Sequence, residues 1–408
     1  MSFDDVLHRG DDFLNQYPRR SKAWRFFSYS TSVFVIGVSK LIIKTFYSVK
    51  LNNYDNLTLA RTRSREENRG MMTVMNHMST VDDPFIWATL PMSIYSSLNN
   101  MRWCLGAHNI CFANKIKSFF FSAGQVLSTE RFGAGPFQGA IDASIRLLSP
   151  DNTIPYRDDK VTKFKGNRAV LEKYLPPIVR RKPSWVHVYP EGFVLQLHPP
   201  FQNSMRYFKW GITRMILEAT KPPIVLPIFT TGFENILPED ETKSGFKQFL
   251  DSIGTKINVS FGKPLDDLLI DAYRDEWNQL VSKYSKPGET DLNDELKFGP
   301  EAQNLRSRLA GELRTAVANI RSEQPDLPRE DPRFSSPKWW KRYTQTEGKS
   351  DPDVKFIGQN WAIRRLQKFL NIEPTSEKID KKSIDAEKDH DTTNVTPSSK
   401  PDFNKKNN

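Results

Sequence analysis

The sequence predicts an α/β layered fold. Short apolar runs of strand length recur between helical stretches from residue 70 to residue 261, and that alternation is the pattern of a sheet with helices packed on it. Beyond them, Leu305, Leu309, Leu313 and Val317 recur every four residues. They mark an amphipathic helix whose simplest place is against the same core.

The first notable element is Phe26–Ser39, 14 uncharged residues between Arg25 and Lys40, followed by Leu41, Ile42 and Ile43. Spanning a bilayer takes about 20 apolar residues. A core helix, a full span and a helix lying in one leaflet are the three readings, and basic and aromatic flanks suit the last. Gly70–Met75 reads as a buried strand ending at Asn76-His77. Asp83 then caps a helix with Pro84 in its first turn, running to Leu90 before Pro91. Ile110–Gly124 reads as a helix carrying Phe119, Phe120 and Phe121, and Gln125–Ser128 as a second strand. Gly133, Gly135 and Pro136 form a loop opening the helix Phe137–Leu148.

Residues 149–183 are polar and read as a surface insertion. Trp185–Tyr189 alternates as a strand does and is ended by Pro190-Glu191-Gly192. Phe208–Ala219 reads as a helix stopped by Lys221-Pro222-Pro223; Ile224–Phe229 and Ile257–Phe261 are two further strands. Trp339-Trp340-Lys341-Arg342 and Phe356–Leu370, with Trp361, Arg364, Arg365 and Lys368, mix aromatics with basic charge, for docking on the core or on a membrane surface. From Thr375 the chain is too polar to bury a core and reads as disordered. The organisation expected is an N-terminal membrane-associated segment, 1–50, a core, 51–325, a basic aromatic extension, 326–372, and a polar tail, 373–408.

A net charge of +11 favours anionic partners. No nucleic-acid motif is present, so lipid is the expected partner and nucleic acid is not. The 27 Phe, 12 Tyr and 9 Trp suit cores and membrane boundaries alike. Cys104 and Cys111 match no metal or redox spacing and read as two buried free thiols. Asp4, Asp5, Asp11 and Asp12 argue against a secretory signal or presequence at the N-terminus.

Four pieces could carry chemistry. His77 and Asp82 stand five residues apart across a strand-to-helix turn. A histidine takes protons near neutral pH, and a carboxylate on its other ring nitrogen fixes the tautomer. Ser79-x-x-Asp82 also resembles a helix capping box. Arg131 lies among glycines from Gly124 to Gly135, where a guanidinium can grip a phosphate. A glycine-rich turn with a surface arginine is the plainer alternative. Glu191 and Gly192 end a strand, where a carboxylate can hold a hydroxyl and glycine leaves room for a ligand; Pro227 interrupts a hydrophobic strand. His187 and His198 lack metal-ligand spacing, so no metal is expected, and no Gly-x-Ser-x-Gly elbow exists.

In this order, His-x4-Asp, Gly-to-Arg, Pro-Glu-Gly and a Pro-containing strand resemble the blocks of the glycerolipid acyltransferase superfamily. The segments "MTVMNHMSTVDDP", "WCLGAHNICF", "GQVLSTERFG", "VHVYPEGFV" and "MRYFKWGITRMI" are similar to the tafazzin family within it, in its fungal form, over Met1 to Leu370. The resemblance implies a central mixed sheet flanked by helices, with membrane-associated helical segments. It implies a CoA-independent transacylase, without cofactor, that moves acyl chains between phospholipids and lysophospholipids and so remodels cardiolipin from monolysocardiolipin. It places the chain in mitochondrial outer and inner membranes, facing the intermembrane space without fully spanning them, and open to protein complexes there.

By motif, His77 would be the general base with Asp82 its partner. Arg131, in the block begun by Gly124, would contact a lipid phosphate. Glu191 and Gly192 would line the glycerol or phosphate site, Pro227 would mark the fourth block, and Pro222–Phe233 would belong to a membrane-embedded face. One departure stands out. The superfamily's third block often continues Glu-Gly-Thr-Arg, whereas this chain has Glu191-Gly192-Phe193-Val194. Arg206 or Lys209 is the candidate to replace that arginine, and its loss favours transacylation over acyl-CoA use. An acyl-CoA-dependent lysophospholipid acyltransferase and a non-enzymatic organiser of anionic lipid are the alternatives.

Overall fold

The computed structural model describes residues 3–131, 135–154, 160–165, 168–173, 183–238 and 243–340, with Val354 and Ile357 beyond them. In chain order the elements begin with α1 (Asp4–Asn15), α2 (Lys22–Phe46), β1 (Ser48–Asn52), α3 (Tyr54–Glu66), β2 (Met71–Met75), α4 (Asp82–Thr89), β3 (Arg102–Ala107), α5 (His108–Cys111) and α6 (Lys115–Ala123). Next come β4 (Val126–Thr129), α7 (Gly139–Leu148), β5 (Lys160–Lys165), β6 (Arg168–Lys173), β7 (Trp185–Val188), α8 (Arg214–Leu217), β8 (Ile224–Thr231) and α9 (Phe233–Ile236). The series closes with α10 (Gly245–Ser252), β9 (Lys256–Phe261), α11 (Asp267–Tyr284), α12 (Asp294–Phe298) and α13 (Pro300–Ser322).

Seven strands form one mixed sheet in the order β1-β9-β8-β2-β7-β3-β4. β8, β2, β7, β3 and β4 run parallel to one another; β9 is antiparallel to β8, and β1 is parallel to β9. Successive side chains on a strand point to opposite faces, and β2 shows the consequence. Met72 and Val74 join a core with residues of α1, α7, α8, α11 and α13, whereas Met71 and Met75 join one with residues of α2, α3 and α4. The result is a three-layer αβα sandwich, the α/β class expected. β5 and β6 form a separate antiparallel hairpin inside the 149–183 stretch.

Several elements differ from expectation. β1 and β3 were not legible as strands: β1 is a partly exposed edge, and β3 combines a buried start, Arg102–Cys104, with a half-buried end. The expected helix Ile110–Gly124 is two helices, because the Asn114 side chain caps a fresh start by accepting from the Lys117 amide. The expected helix Phe208–Ala219 shrinks to a 3₁₀ turn, Trp210–Thr213, and α8. Here Gly211 presses on Pro136, where a Cβ would sit 2.7 Å from a proline carbon. Pro222–Phe233 does not form a membrane-embedded face: β8 sits inside the sheet between β9 and β2, buried from Ile224 to Thr230. Asp83 is extended rather than helical, so regular helix begins at Pro84, and its carboxylate accepts from Trp87 Nε1 and Arg102 instead of capping.

α2 runs past both Lys40 and Lys44 for 25 residues, roughly 37 Å at 1.5 Å per residue. By length and composition it can cross a membrane. Its buried stripe is Trp24, Ser28, Ser32, Ile36, Ser39 and Ile43. Its large apolar residues Phe26, Phe34 and Leu41 point outward. Ile116, Phe119 and Phe120 of α6, and Phe246 and Leu250 of α10, are exposed too. The Phe27 and Phe119 rings meet at 5.0 Å and those of Phe46 and Phe249 at 5.2 Å, so α6, α2 and α10 form one apolar strip.

The C-terminal aromatics behave otherwise. Trp339 and Trp340 pack with Phe334, Leu195, Leu197, Tyr207 and Val354 in a small core of their own. Lys341, Arg342, the segment Phe356–Leu370 apart from Ile357, and the tail from Thr375 lie outside the described residues.

Candidate active site

In sheets of this kind ligands sit beyond the carboxyl ends of the parallel strands. A cleft of about 160 Å³ opens there, lined by His77 after β2, Ala107 at the end of β3, Thr129 at the end of β4 with Glu130 and Arg131 after it, and Tyr189, Pro190 and Gly192 after β7. Leu105, Ile141 and Ile212 give it an apolar wall, and Lys209 adds a second cation to Arg131.

The turn that carries His77 is built in layers. Asn76 pins the end of β2 to β8: its amide donates to the Thr230 carbonyl at 3.0 Å and its oxygen accepts from the Thr230 amide at 2.9 Å. The chain then turns around Asp82, which is fully buried. Asp82 Oδ2 accepts from the amides of Met78 at 2.7 Å and Ser79 at 3.0 Å, and from His77 Nδ1 at 2.8 Å. With an acceptor at Nδ1, the proton sits on that nitrogen and Nε2 keeps its lone pair. The imidazole is partly exposed to the cleft while its partner is closed off.

A second wall holds the ring. Tyr189 stacks on His77 with centroids 4.2 Å apart and 24° between planes. Behind Tyr189, His187 meets it edge-on at 4.4 Å and takes a hydrogen bond at Nδ1 with Thr73 Oγ1 at 2.9 Å. Burial pushes the His187 imidazole down to about 3, so it is neutral at physiological pH, and pushes the Tyr189 phenol well up.

Comparison with known proteins gives the family. Residues 50–231 match the family model described as Acyltransferase. The chain is 67% identical over 373 residues to the tafazzin of Saccharomyces cerevisiae, covering 91% of this chain and 97% of the relative. It is also 29% identical over 261 residues to the tafazzin of Drosophila melanogaster, covering 62% and 57%. A protein named taffazin in Dictyostelium discoideum is 28% identical over 254 residues, covering 61% and 70%. The chain belongs to the tafazzin family. It is an acyltransferase of the lipid-remodelling type.

Within this tafazzin-family fold the residues singled out from sequence fall into two groups. His77, Arg131 and Gly192 line the cleft, with Asp82 directly behind His77. Gly192 has φ +82°, a backbone conformation that favours glycine, and a Cβ there would meet only the flexible end of Lys209, Cε at 3.1 Å. Of the two candidates for the missing arginine, Lys209 lines the cleft. Arg206 is fully buried with its guanidinium over the rings of Phe193, Tyr207 and Trp340.

Three expected ligand-binding residues do not line the cleft. Gly124 ends α6, and its carbonyl accepts from Arg102 Nη1. Pro227 is interior to β8, and its carbonyl accepts from the Gly262 amide. Glu191 is fully buried, with one oxygen accepting from the His77 amide at 2.9 Å and the other from the Arg206 amide at 2.7 Å. Burial pushes its carboxyl up to about 8 although both amides pull it down. Glu191 thus ties the His77 turn to the segment after β7, and Leu195 repeats the tie by donating its amide to the His77 carbonyl at 3.0 Å.

Sequence reasoning missed Asn76, Tyr189 and Gln138. Gln138 clips the loop after β4, accepting from the Glu130 amide and donating to the Glu130 and Gly135 carbonyls. Asn76 and Tyr189 lie inside the quoted motifs beside His77 and Glu191. No spacing rule distinguishes an asparagine that bridges strands, or a tyrosine that stacks, from its neighbours.

Proposed function

We propose that the chain is a CoA-independent phospholipid–lysophospholipid transacylase that remodels cardiolipin, with monolysocardiolipin as an acceptor. The observation that carries this reading is the His77–Asp82 pair at the mouth of a cleft with two cations and an apolar wall. His77 Nε2 takes the proton from the lysolipid hydroxyl as that oxygen attacks the donor's ester carbonyl. Asp82 holds the ring and stabilises its positive form. When the tetrahedral intermediate collapses, the donor's alkoxide takes the proton back and leaves as a lysophospholipid. Esters are exchanged for like esters, so no energy source or cofactor enters the balance. Arg131 and Lys209 hold headgroup phosphates, and Leu105, Ile141 and Ile212 receive the start of an acyl chain. No arginine follows Gly192, which supports a lipid rather than a CoA thioester as donor.

The apolar strip of α6, α2 and α10 supports membrane association. A soluble helix turns its large apolar residues inward, whereas α2 turns three serines inward beside Trp24, Ile36 and Ile43 and leaves Phe26, Phe34 and Leu41 outward. Placement in mitochondrial membranes facing the intermembrane space follows from the family resemblance and is part of the proposal.

The test is a CoA-free assay on vesicles holding labelled phosphatidylcholine and monolysocardiolipin. Label is expected in cardiolipin with the intact protein. It is expected to fall by roughly 10²–10⁴-fold with His77→Ala, the range of general-base help. Transfer only after acyl-CoA is added would overturn the donor assignment, and an active His77→Ala would overturn the mechanism.

A further inference from the structure

At the opposite end of the sheet lies a second, smaller pocket. It sits by the amino ends of β3, β4 and β7, and its lining includes Arg19, Arg25, Trp103, Ser122, Gln125 and Ser184. It shares no residue with the catalytic cleft. Its volume is about 30 Å³. At roughly 10–15 Å³ per water-sized sphere, that admits about two waters or the terminal oxygens of one small oxyanion.

The chemistry of its walls is unusual. Arg19 is 5% exposed. Its guanidinium lies 5.1 Å from the Tyr17 ring centre and 5.4 Å from that of Trp103, and Nη1 donates to the Leu14 carbonyl at 3.1 Å. Among the described residues no carboxylate pairs with it, and its buried Nε has no hydrogen-bond partner. Buried charges are ordinarily paired. Burial pulls this guanidinium down to about 10. The Ser122 hydroxyl, also in the lining, is likewise buried without a hydrogen-bond partner among the described residues. Arg25, half-buried on the first turns of α2, adds a second cation.

We propose that this pocket is an accessory phosphate site, in which Arg19, Arg25 and Ser122 hold the phosphate of an anionic phospholipid headgroup apart from the catalytic cleft. The lipid source is favoured over free phosphate by what surrounds the pocket. Tyr17 packs on Trp24 at 5.2 Å, Trp24 meets Phe119 edge-on at 5.3 Å, and Phe119 leads onto the exposed strip of α6 and α2. A headgroup in the pocket therefore has its acyl chains beside the apolar surface. Two donors and a hydroxyl suit a phosphomonoester, which offers more free oxygens than a diester.

The experiment uses the full chain. Arg25→Gln and Ser122→Ala leave the Arg19 stack intact, Arg19→Gln removes its centre, and Lys22→Gln removes a neighbouring exposed charge that does not line the pocket. Flotation on phosphatidylcholine vesicles is compared with flotation on vesicles that also hold phosphatidic acid, and Tm is read with inorganic phosphate against chloride at fixed ionic strength. Phosphatidic acid is expected to strengthen binding, Arg19→Gln and Arg25→Gln each to weaken that gain by about fivefold, the worth of one basic residue at an anionic surface, and Ser122→Ala, which removes no charge, to weaken it less. Binding to pure phosphatidylcholine should not change, and Lys22→Gln should have less effect. A phosphate-dependent rise in Tm that the pocket variants abolish, without any change in flotation, would keep the phosphate site but overturn its lipid source. Equal losses for Lys22→Gln and Arg25→Gln, or no response to either ligand, would overturn the site.

Discussion

Two aromatic segments flank the core, and they are placed in opposite ways. α2 leaves Phe26 at 74%, Phe34 at 70% and Leu41 at 68% exposed, whereas Trp340, near the C-terminal end of the described chain, is at 0%. Both segments carry basic residues and large rings. The difference lies in what each meets. Trp339 and Trp340 find a groove between Leu195, Leu197, Tyr207 and Phe334 that takes whole rings. α2 packs chiefly on α4 through a mixed stripe in which three serines stand beside Trp24, Ile36 and Ile43, and its ring contacts with Phe119 and Phe249 are to helices of the same character. Composition expresses a demand for apolar surroundings; the neighbours decide whether protein or lipid supplies them.

The comparison can be broken most sharply at Trp340. Trp340→Ala is expected to cost about 3–5 kcal/mol, as for other buried aromatics, and to lower Tm accordingly. Activity should fall with it, because the cluster rests on Leu195, whose amide holds the His77 carbonyl. An unchanged Tm would mean that the cluster does not form.

The next test is the joint beneath it. Glu191→Gln keeps one amide acceptor and presents an NH₂ to the other amide, for an expected loss of roughly 1–3 kcal/mol in urea unfolding. The pH dependence sharpens this. The Glu191 carboxyl is raised from 4.5 to about 8 on folding, so the folded state binds more protons in that window. Its contribution to stability is full below 4.5 and is lost as pH rises toward 8. Glu191→Gln should remove that slope. His187 works the other way. Lowered from 6.5 to about 3 on folding, it contributes stability that is present above 6.5 and lost as pH falls toward 3. His187→Phe should flatten the acid limb.

The smallest effect on stability belongs to α2. Phe26→Ser, Phe34→Ser and Leu41→Ser are each expected to change unfolding free energy by no more than about 0.5 kcal/mol, while together they abolish flotation on neutral vesicles. If the triple variant instead melts as early as Trp340→Ala, the outward face of α2 is buried in solution and the contrast fails.

Legibility in the sequence followed burial. β2, β7 and β8 are covered on both faces, so they appear as mostly apolar runs, with Thr73 and His187 as the polar exceptions in β2 and β7. β1 is a half-exposed edge and gives no such run. α2 is longer than the uncharged run Phe26–Ser39 because lysines do not end it. Lys40 in fact stays helical and turns its ammonium to the Ala88 and Leu90 carbonyls at the end of α4. At the site, a five-residue interval placed His77 and Asp82 on one turn, and they meet at 2.8 Å. Glu191, Gly124 and Pro227 are in recognisable motifs, yet they serve the backbone around the cleft instead of lining it.

From the sequence alone came the α/β class, the strands buried on both faces, the His77–Asp82 spacing and the family. These rest on local periodicity and on short intervals, which the chain carries within a few residues. The Tyr189 stack on His77, the Glu191 tie, the place of Lys209 rather than Arg206 in the cleft wall and the burial of Arg19 without a carboxylate among the described residues rest on contacts between elements distant in sequence. Only tertiary structure decided them, because side-chain direction and burial are set by which strands become neighbours in the sheet.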